Sequence, residues 1–251
     1  MRGWLAAGRV RVDGVVVRRG DADVADAARV TLGAPAPPFP SALRLVYEDG
    51  ELLVVDKPPG LLTVATERER ERTAYRLLFD YVRPPARLFI VHRLDRETSG
   101  LLVFAKSAAA KRALQAQFAA RAVERGYEAV VEGRLRADAG TLRDRIVEDP
   151  TTLRVRTARG SGREAITEYR VRERRTRSTA LELRLHTGRR GQIRAQLATL
   201  GHPIVGDRAF GATSDPIRRV CLHASVLAFV DAHGHTRRFT SPPPPAFSRV
   251  V

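Results

Sequence analysis

Apolar and polar positions follow two different periods along this chain, and the changes of period mark its elements. Residues 88–91 and 101–105 are apolar runs too short for a buried helix, and both read as buried strands. The polar turn His92-Arg93-Leu94-Asp95-Arg96-Glu97-Thr98-Ser99-Gly100 lies between them. Residues 45–47 and 52–55 flank Glu48-Asp49-Gly50 as a hairpin, which runs into Asp56-Lys57-Pro58-Pro59-Gly60, where prolines end the strand. Ser107 caps a predicted helix through residue 120, with Leu114 and Phe118 inward. Strands are expected at 127–131, 163–171 and 181–186. A second helix is expected from about 190 to 200, with Ile193, Leu197 and Leu200 as its buried stripe and Gly201 as its stop. Further strands are expected at 221–230 and 236–239, and Pro242 to Pro245 then end regular structure. The alternating charges of 67–72 read as a solvated loop or helix start. No internal repeat is visible.

The first 34 residues form a separate unit. Residues 8–17 alternate around Asp13-Gly14, a hairpin signal, and 30–32 reads as one more short strand. Pro35, Pro37, Pro38 and Pro40 follow as a stiff linker. The expected division is therefore a module at 1–34, a linker at 35–42 and a main domain at 43–251.

Composition narrows the function classes. A chain of 251 residues with 43% hydrophobic residues can bury a substantial core. No apolar run approaches the roughly 20 residues that span a bilayer, and Met-Arg-Gly-Trp-Leu carries no signal-peptide pattern. The single Cys221 excludes an internal disulfide framework and a cysteine-based zinc site, and its apolar surroundings suggest a buried, inert thiol. The expected setting is cytoplasmic. The formal charge of +16 points to a polyanionic partner. Lysine occurs only at Lys57, Lys106 and Lys111, so arginine supplies nearly all of that charge. A bias toward G and C in the genome can exchange Lys for Arg but does not create the positive excess. His233 and His235 flank Gly234 in an expected hairpin turn, and two histidines without further ligands make a poor metal site.

The fifteen residues from His92 to Lys106, His-Arg-Leu-Asp-Arg-Glu-Thr-Ser-Gly-Leu-Leu-Val-Phe-Ala-Lys, resemble without a gap the active-site signature of the RluA-type pseudouridine synthases. The alternative for the turn alone is a tight loop whose Asp and Thr bond their own backbone, which leaves His-Arg-Leu unexplained. The resemblance extends from about residue 43 to 247. It implies that Asp95 is catalytic and that Arg93, Tyr127, Arg194 and Ile193 bind substrate, with His92 and Leu94 supporting the turn. Tyr127 lies in Arg125-Gly126-Tyr127-Glu128-Ala129, and Arg194 ends Gly191-Gln192-Ile193-Arg194, where the family's Gln-Ile-Arg faces the aspartate. Arg93 maps to the arginine that fills the space left by an extruded nucleotide. Residues 1–34 resemble the second half of the alpha-L RNA-binding domain, with Trp4 and Leu5 as the tail of its last helix; a plain hairpin extension is the other reading. Gly191 and Gln196 depart from the family, which usually has histidine at both positions. Asp56 stands where the family usually has Asn.

The chemistry implied breaks the bond from ribose to the base nitrogen, turns the uracil and rejoins it through carbon. It needs no redox change, energy input or metal, so no cofactor is expected. A carboxylate can serve by attacking the sugar or by removing one of its protons. Shelter raises a carboxyl pKa and a cation within about 4–6 Å lowers it by roughly 1–3 units, so the site needs a partner arginine. The uridine must leave its stack at a cost of about a few kcal/mol. Two other classes compete with it: a catalytically silent RNA-binding protein on the same scaffold, and a glycosidase or nuclease. The first has no use for a sheltered carboxylate. The second wants a second carboxylate or clustered acids, and neither is visible. The sequence thus predicts a monomeric α+β isomerase with a mainly antiparallel sheet flanked by helices. Its substrate would be structured RNA, ribosomal before transfer RNA.

Overall fold

The computed structural model describes residues 2–250 except 19, 23, 36, 37, 68, 83–86, 150 and 153. Pro37 of the expected linker and Arg68 of the expected loop lie outside the described residues. The N-terminal elements are α1 (Arg2–Ala6), β1 (Val10–Val12), β2 (Val15–Val17) and β3 (Val30–Leu32). The main domain opens with β4 (Arg44–Glu48), β5 (Leu52–Lys57), α2 (Ala74–Val82), β6 (Phe89–Ile90), β7 (Ser99–Ala105) and α3 (Ala108–Ala119). It continues through β8 (Glu124–Glu132), β9 (Ala139–Glu148), β10 (Val155–Ala158), β11 (Arg163–Arg174) and β12 (Ser178–Leu185). It closes with α4 (Gln192–Thr199), β13 (Leu222–Val230) and β14 (Thr236–Thr240).

An eleven-stranded sheet runs in the order β10-β9-β11-β12-β8-β13-β7-β5-β4, with β14 on β13 and β6 on β7. Its described pairings are antiparallel except β13 with β7, so the fold is α+β with a mainly antiparallel sheet. Residues 52–55 of β5 and 101–105 of β7 form unbroken apolar runs because both faces of the sheet are covered there. Leu53, Val55, Leu102 and Phe104 face α2 through Leu78 and Tyr81. Their neighbours Leu52, Val54, Leu101 and Val103 face α3 through Ala110 and Leu114. This side-to-side alternation is the period of two that an extended chain imposes. Ser107 caps α3 by accepting a hydrogen bond from Ala110 N at 3.0 Å. Among the described residues no helix is long and apolar enough to cross a membrane.

The N-terminal strands form their own sheet, in the order β2-β1-β3 around the Asp13-Gly14 turn. Arg18 Nε donates to the Tyr81 hydroxyl at 2.8 Å, and the guanidinium lies 5.3 Å from that ring's centre. Tyr81 passes the contact inward to Glu48 at 2.7 Å, and Phe39 packs edge-on against the same ring.

Three expectations are corrected. Leu200 is 41% exposed and does not belong to the buried stripe of α4, whose inner face carries Gln192, Ile193, Ala195, Gln196 and Leu197. Those two amides are buried because each is fully engaged by hydrogen bonds. Regular structure does not end at Pro245, since a short 3-10 turn (Pro245–Arg249) follows and sets Phe247 and Val250 into the core. Finally, β9 and β10 stand where no element was expected, and α2 begins just past the 67–72 run that reads as a solvated loop or helix start. In α2 the spacing of buried Ala74, Leu78 and Tyr81 is helical, and Thr73 caps it by accepting from Arg76 N at 3.0 Å.

Candidate active site

The segment between β6 and β7 carries Asp95 and is held almost wholly through its backbone. Leu94 is buried, and Thr63 Oγ1 both accepts from its N–H at 3.1 Å and donates to its carbonyl at 2.8 Å. Thr98 N donates to the Asp95 carbonyl at 3.2 Å, closing a tight turn. Gly60 N donates to the Arg96 carbonyl at 2.8 Å, and Arg96 Nε returns to the Gly60 carbonyl at 3.1 Å. Lys57 anchors the whole arrangement from a fully buried position. Its Nζ donates to the carbonyls of Pro58 and Leu61 at 2.8 Å and of Arg96 at 3.2 Å. Burial pulls its pKa down to about 7, with Glu97 and Asp95 opposing. Three carbonyl acceptors nevertheless match the three donors of an ammonium, so the bonding pattern favours the charged form.

His92 is tied to the adjoining strand, not to the turn itself. Val103 N donates to its Nε2 at 3.2 Å, and its ring stacks on Phe118 with centroids 4.8 Å apart. Burial, and then the charge of Arg125, push its pKa down to about 3, which keeps the ring neutral. Behind the turn, Ser99 bonds His223 Nδ1 at 2.8 Å and accepts from Arg219 at 2.7 Å. His223 Nε2 reaches Ser241, whose hydroxyl donates to Asp56. Arg44 pairs with that same Asp56 at 2.6 Å. At Gly100, with φ +115°, a Cβ would stand 2.3 Å from the Ala224 carbonyl, so only glycine lets β7 approach β13 here.

The facing wall is made by the segment from Thr187 into α4, and side chains hold it. Gln192 accepts from Thr187 Oγ1 at 2.8 Å and Arg189 N at 3.0 Å, and donates to the Ile166 carbonyl and Thr167 Oγ1. Gln196 donates to the Leu142 and Ala165 carbonyls and to Asp144, and accepts from Thr167. It thereby ties α4 to β9 and β11 with every donor and acceptor used. Gly191 caps α4 at φ +59°, and a side chain there would meet Phe210 and Val155 at 3.4 Å. β10 and the following 3-10 turn (Arg208–Phe210) thus take the space beside that position.

These two walls bring together the residues singled out from the sequence. Asp95, Arg93, Leu94, His92, Tyr127, Ile193 and Arg194 all line one cavity of about 370 Å³. Arg194 Nη1 stands 3.8 Å from Asp95 Oδ2. Its main partner is one the sequence reading passed over: buried Asp207 accepts from Nε at 2.6 Å and Nη2 at 2.7 Å, a bidentate fork. Burial opposes the charge of Arg194, but the hydrogen bonds and charge of Asp207, joined by Asp95 and Glu97, outweigh it and raise the guanidinium pKa. Phe210 lies under the same group at 4.6 Å. Tyr127 is buried on β8, and desolvation pushes its phenol up to about 12, so it stays protonated. Arg125, two residues earlier on the same strand, lines the cavity as well. Asp95 also borders a neighbouring open trough of about 610 Å³ lined by Arg93, Arg96, Arg154, Arg190, Arg194 and Arg208. Elsewhere, Cys221 is fully buried and burial pushes its thiol up to about 12. His233 and His235 lie in an exposed turn between β13 and β14.

A carboxylate beside a twice-anchored arginine, next to a buried aromatic ring and open to an arginine-lined trough, suits chemistry on a planar group carried by a polyanion. The comparisons with known proteins agree in kind. The family model described as RNA pseudouridylate synthase matches residues 51–199. The chain is 36% identical to "Ribosomal large subunit pseudouridine synthase D" of Xanthomonas campestris pv. campestris, over 99% of this chain and 82% of that protein. It is 34% identical to "Uncharacterized RNA pseudouridine synthase" of Aquifex aeolicus, over 86% of this chain and 72% of that one. Among solved structures, "Human RNA Pseudouridylate Synthase Domain Containing 1" matches with a TM-score of 0.67 at 27% identity, covering 80% of this chain and 84% of that one.

Proposed function

The chain belongs to the RNA pseudouridylate synthase family, in its RluA-type branch, and on that premise we propose that Asp95 carries out the isomerisation in the cavity it shares with Tyr127 and Arg194. As a member, the protein is an isomerase that converts uridine in RNA to pseudouridine. The observation that carries the assignment is the 3.8 Å approach of Arg194 to Asp95 inside that cavity. Asp207 holds the far side of the guanidinium, so its remaining edge is directed at the Asp95 carboxylate. An ionised Asp95 serves either route, attack on the sugar or removal of one of its protons.

The other residues take roles from where they stand. Tyr127 supplies an aromatic face for the uracil, and stacking of this kind is worth about 1–3 kcal/mol per base. Ile193, buried beside it, closes the apolar side of the base site. Exposed Arg93 at the cavity mouth occupies the space the flipped nucleotide leaves. Leu94 holds the turn through Thr63, His92 ties the segment to β7 through Val103, and neither touches substrate. The arginine-lined trough carries the flanking phosphates. Ribosomal RNA is the proposed substrate, supported by the names of the relatives and by the basic N-terminal sheet. In that division residues 1–34 act as an RNA-binding module, 35–42 as its linker and 43–251 as a monomeric catalytic domain in the cytoplasm.

The test is release of tritium from RNA labelled at uracil carbon 5, using ribosomal and transfer RNA transcripts side by side. Release from ribosomal transcripts with formation of pseudouridine supports the reading. Release from transfer RNA alone shifts the substrate. Tight binding of both with no release replaces the enzyme by a silent RNA binder.

A further inference from the structure

Five arginines line the cavity around Asp95: Arg93, Arg125, Arg189, Arg190 and Arg194. Four pair with a carboxylate or reach water. Arg194 has Asp207 and Asp95, Arg190 pairs with Glu148, and Arg189 Nε donates to the Glu164 carbonyl at 2.9 Å. Arg93 is exposed to water. Arg125 differs. It is only 8% exposed, and among the described residues no carboxylate pairs with it.

Its position is nevertheless built. Nη2 donates to the His186 carbonyl at 3.1 Å, and the guanidinium lies over Phe118 at 5.5 Å. Gly188 leaves the room it occupies, since a Cβ there would stand 2.6 Å from Nη1. Its Nε has no hydrogen-bond partner among the described residues. A buried cation without a counter-charge is costly, and such a group is retained where an anion arrives to meet it. Residues 125 and 127 are two apart on β8, so both side chains stand on the cavity face of the sheet. Arg125 therefore lies beside the Tyr127 ring, deep in the wall, while phosphates meet the exposed arginines at the mouth.

We propose that Arg125 stabilises the uracil anion that exists between the breaking of the C1′–N1 bond and the making of the C1′–C5 bond. The inference rests on the reading of this cavity as the uridine site. Both routes open to Asp95 break the ribose C1′–N1 bond with its electron pair leaving on the base. The base becomes an anion whose charge spreads over N1 and the two carbonyl oxygens. After it turns, the ring's electrons form the C1′–C5 bond; on the attack route the Asp95 carboxylate leaves C1′ with its electron pair, and on the other route Asp95 returns the proton it took from C2′. The C5 proton then departs to solvent and N1 takes up a proton. The free base needs a counter-charge only while it is detached, which is what an unpaired cation beside the stacking ring provides. No oxidant or cofactor enters.

The experiment compares single-turnover consumption of the target nucleoside by wild type, Arg125→Gln, Arg125→Lys and Gly188→Ala. Each acts on RNA with uridine or with 5-fluorouridine at the target, and RNA affinity is measured alongside. Fluorine stabilises the detached anion and reduces its need for help. The expected result is a loss on the order of 10²–10³-fold for Arg125→Gln on uridine, the scale of removing one preorganised donor, with affinity within about threefold of wild type. On 5-fluorouridine that loss shrinks to less than about tenfold, Arg125→Lys recovers part of the rate, and Gly188→Ala loses part of it. Equal losses on the two bases make Arg125 a structural residue and overturn the proposal. A loss confined to RNA affinity makes it a phosphate contact and does the same. If Arg125→Gln unfolds, the two bases with Arg125→Lys and Gly188→Ala decide by the same criterion. Inactivity of wild type on every RNA sinks the uridine site itself, whereas an active wild type matched by Arg125→Gln sinks only this proposal.

Discussion

The two walls of the cavity are held in opposite ways. The Asp95 turn is fixed by hydrogen bonds to backbone atoms, with Thr63 and Lys57 reaching carbonyls that every residue possesses. The Arg194 wall hangs on particular side chains: Gln192, Gln196 and Asp207 each make bonds that another residue type would lose. Backbone fixation makes the carboxylate's place insensitive to most substitutions on the turn itself. Side-chain fixation lets the arginine's place be adjusted, and the Gly191 and Gln196 departures fall on this second wall. Gln196 there replaces an expected imidazole with a fully bonded amide, so the wall is differently built without being left unsupported.

Substitutions can break this contrast. Asp207→Asn removes one partner of a buried bidentate pair and should cost about 3–5 kcal/mol of stability, read from urea unfolding. A loss below about 1 kcal/mol would mean that the second wall does not depend on this side chain. On the first wall, Lys57→Met takes the ammonium donor from the carbonyls of Pro58 and Leu61 and leaves that of Arg96 with Gly60 N alone; it should cost about 2–3 kcal/mol, with faster amide exchange confined to residues 58–63 and 94–98. Unchanged exchange there would show the turn to be held without the ammonium. The smallest effect is a pH dependence. With a folded pKa of about 3, His92 refuses a proton that the unfolded chain accepts near 6.5. Its contribution is complete above pH 6.5 and is lost as pH falls toward 3, by about 1 kcal/mol between pH 6 and 5. His92→Asn should flatten that slope, and an unaltered slope would assign the acid sensitivity to other groups.

Legibility in the sequence followed the same divide. The Asp95 wall was readable because the apolar runs 88–91 and 101–105, which become β6 and β7, stand directly on either side of one polar turn. Glycine at 100 and the His-Arg-Leu-Asp order completed the signal. The supports of the Arg194 wall were not readable. Asp207 lies 13 residues from Arg194 and resembles any loop aspartate until folding places it under the guanidinium. β9 escaped because its inner face carries Gly140, Leu142, Asp144 and Ile146, a mixture with no apolar period, and its outer face carries Arg143 and Arg145. Leu200 was misplaced because apolar spacing alone cannot show that amides at 192 and 196 take the inner face. The helix α2 was legible from Ala74, Leu78 and Tyr81 but was obscured by the charged run ahead of it. Arg125 gave no signal among 44 basic residues; only its burial and its missing partner mark it.

The central claim is that a single carboxylate, held by one wall and faced by the arginine of the other, performs the isomerisation. Its most direct test is tritium release by Asp95→Asn, a change that keeps shape and removes charge, measured with RNA affinity and thermal stability on the same samples. The account predicts release lowered by at least about 10²–10⁴-fold, the range of a positioned acid, base or nucleophile, while binding and melting stay near wild type. Release by Asp95→Asn at a rate near wild type would contradict it.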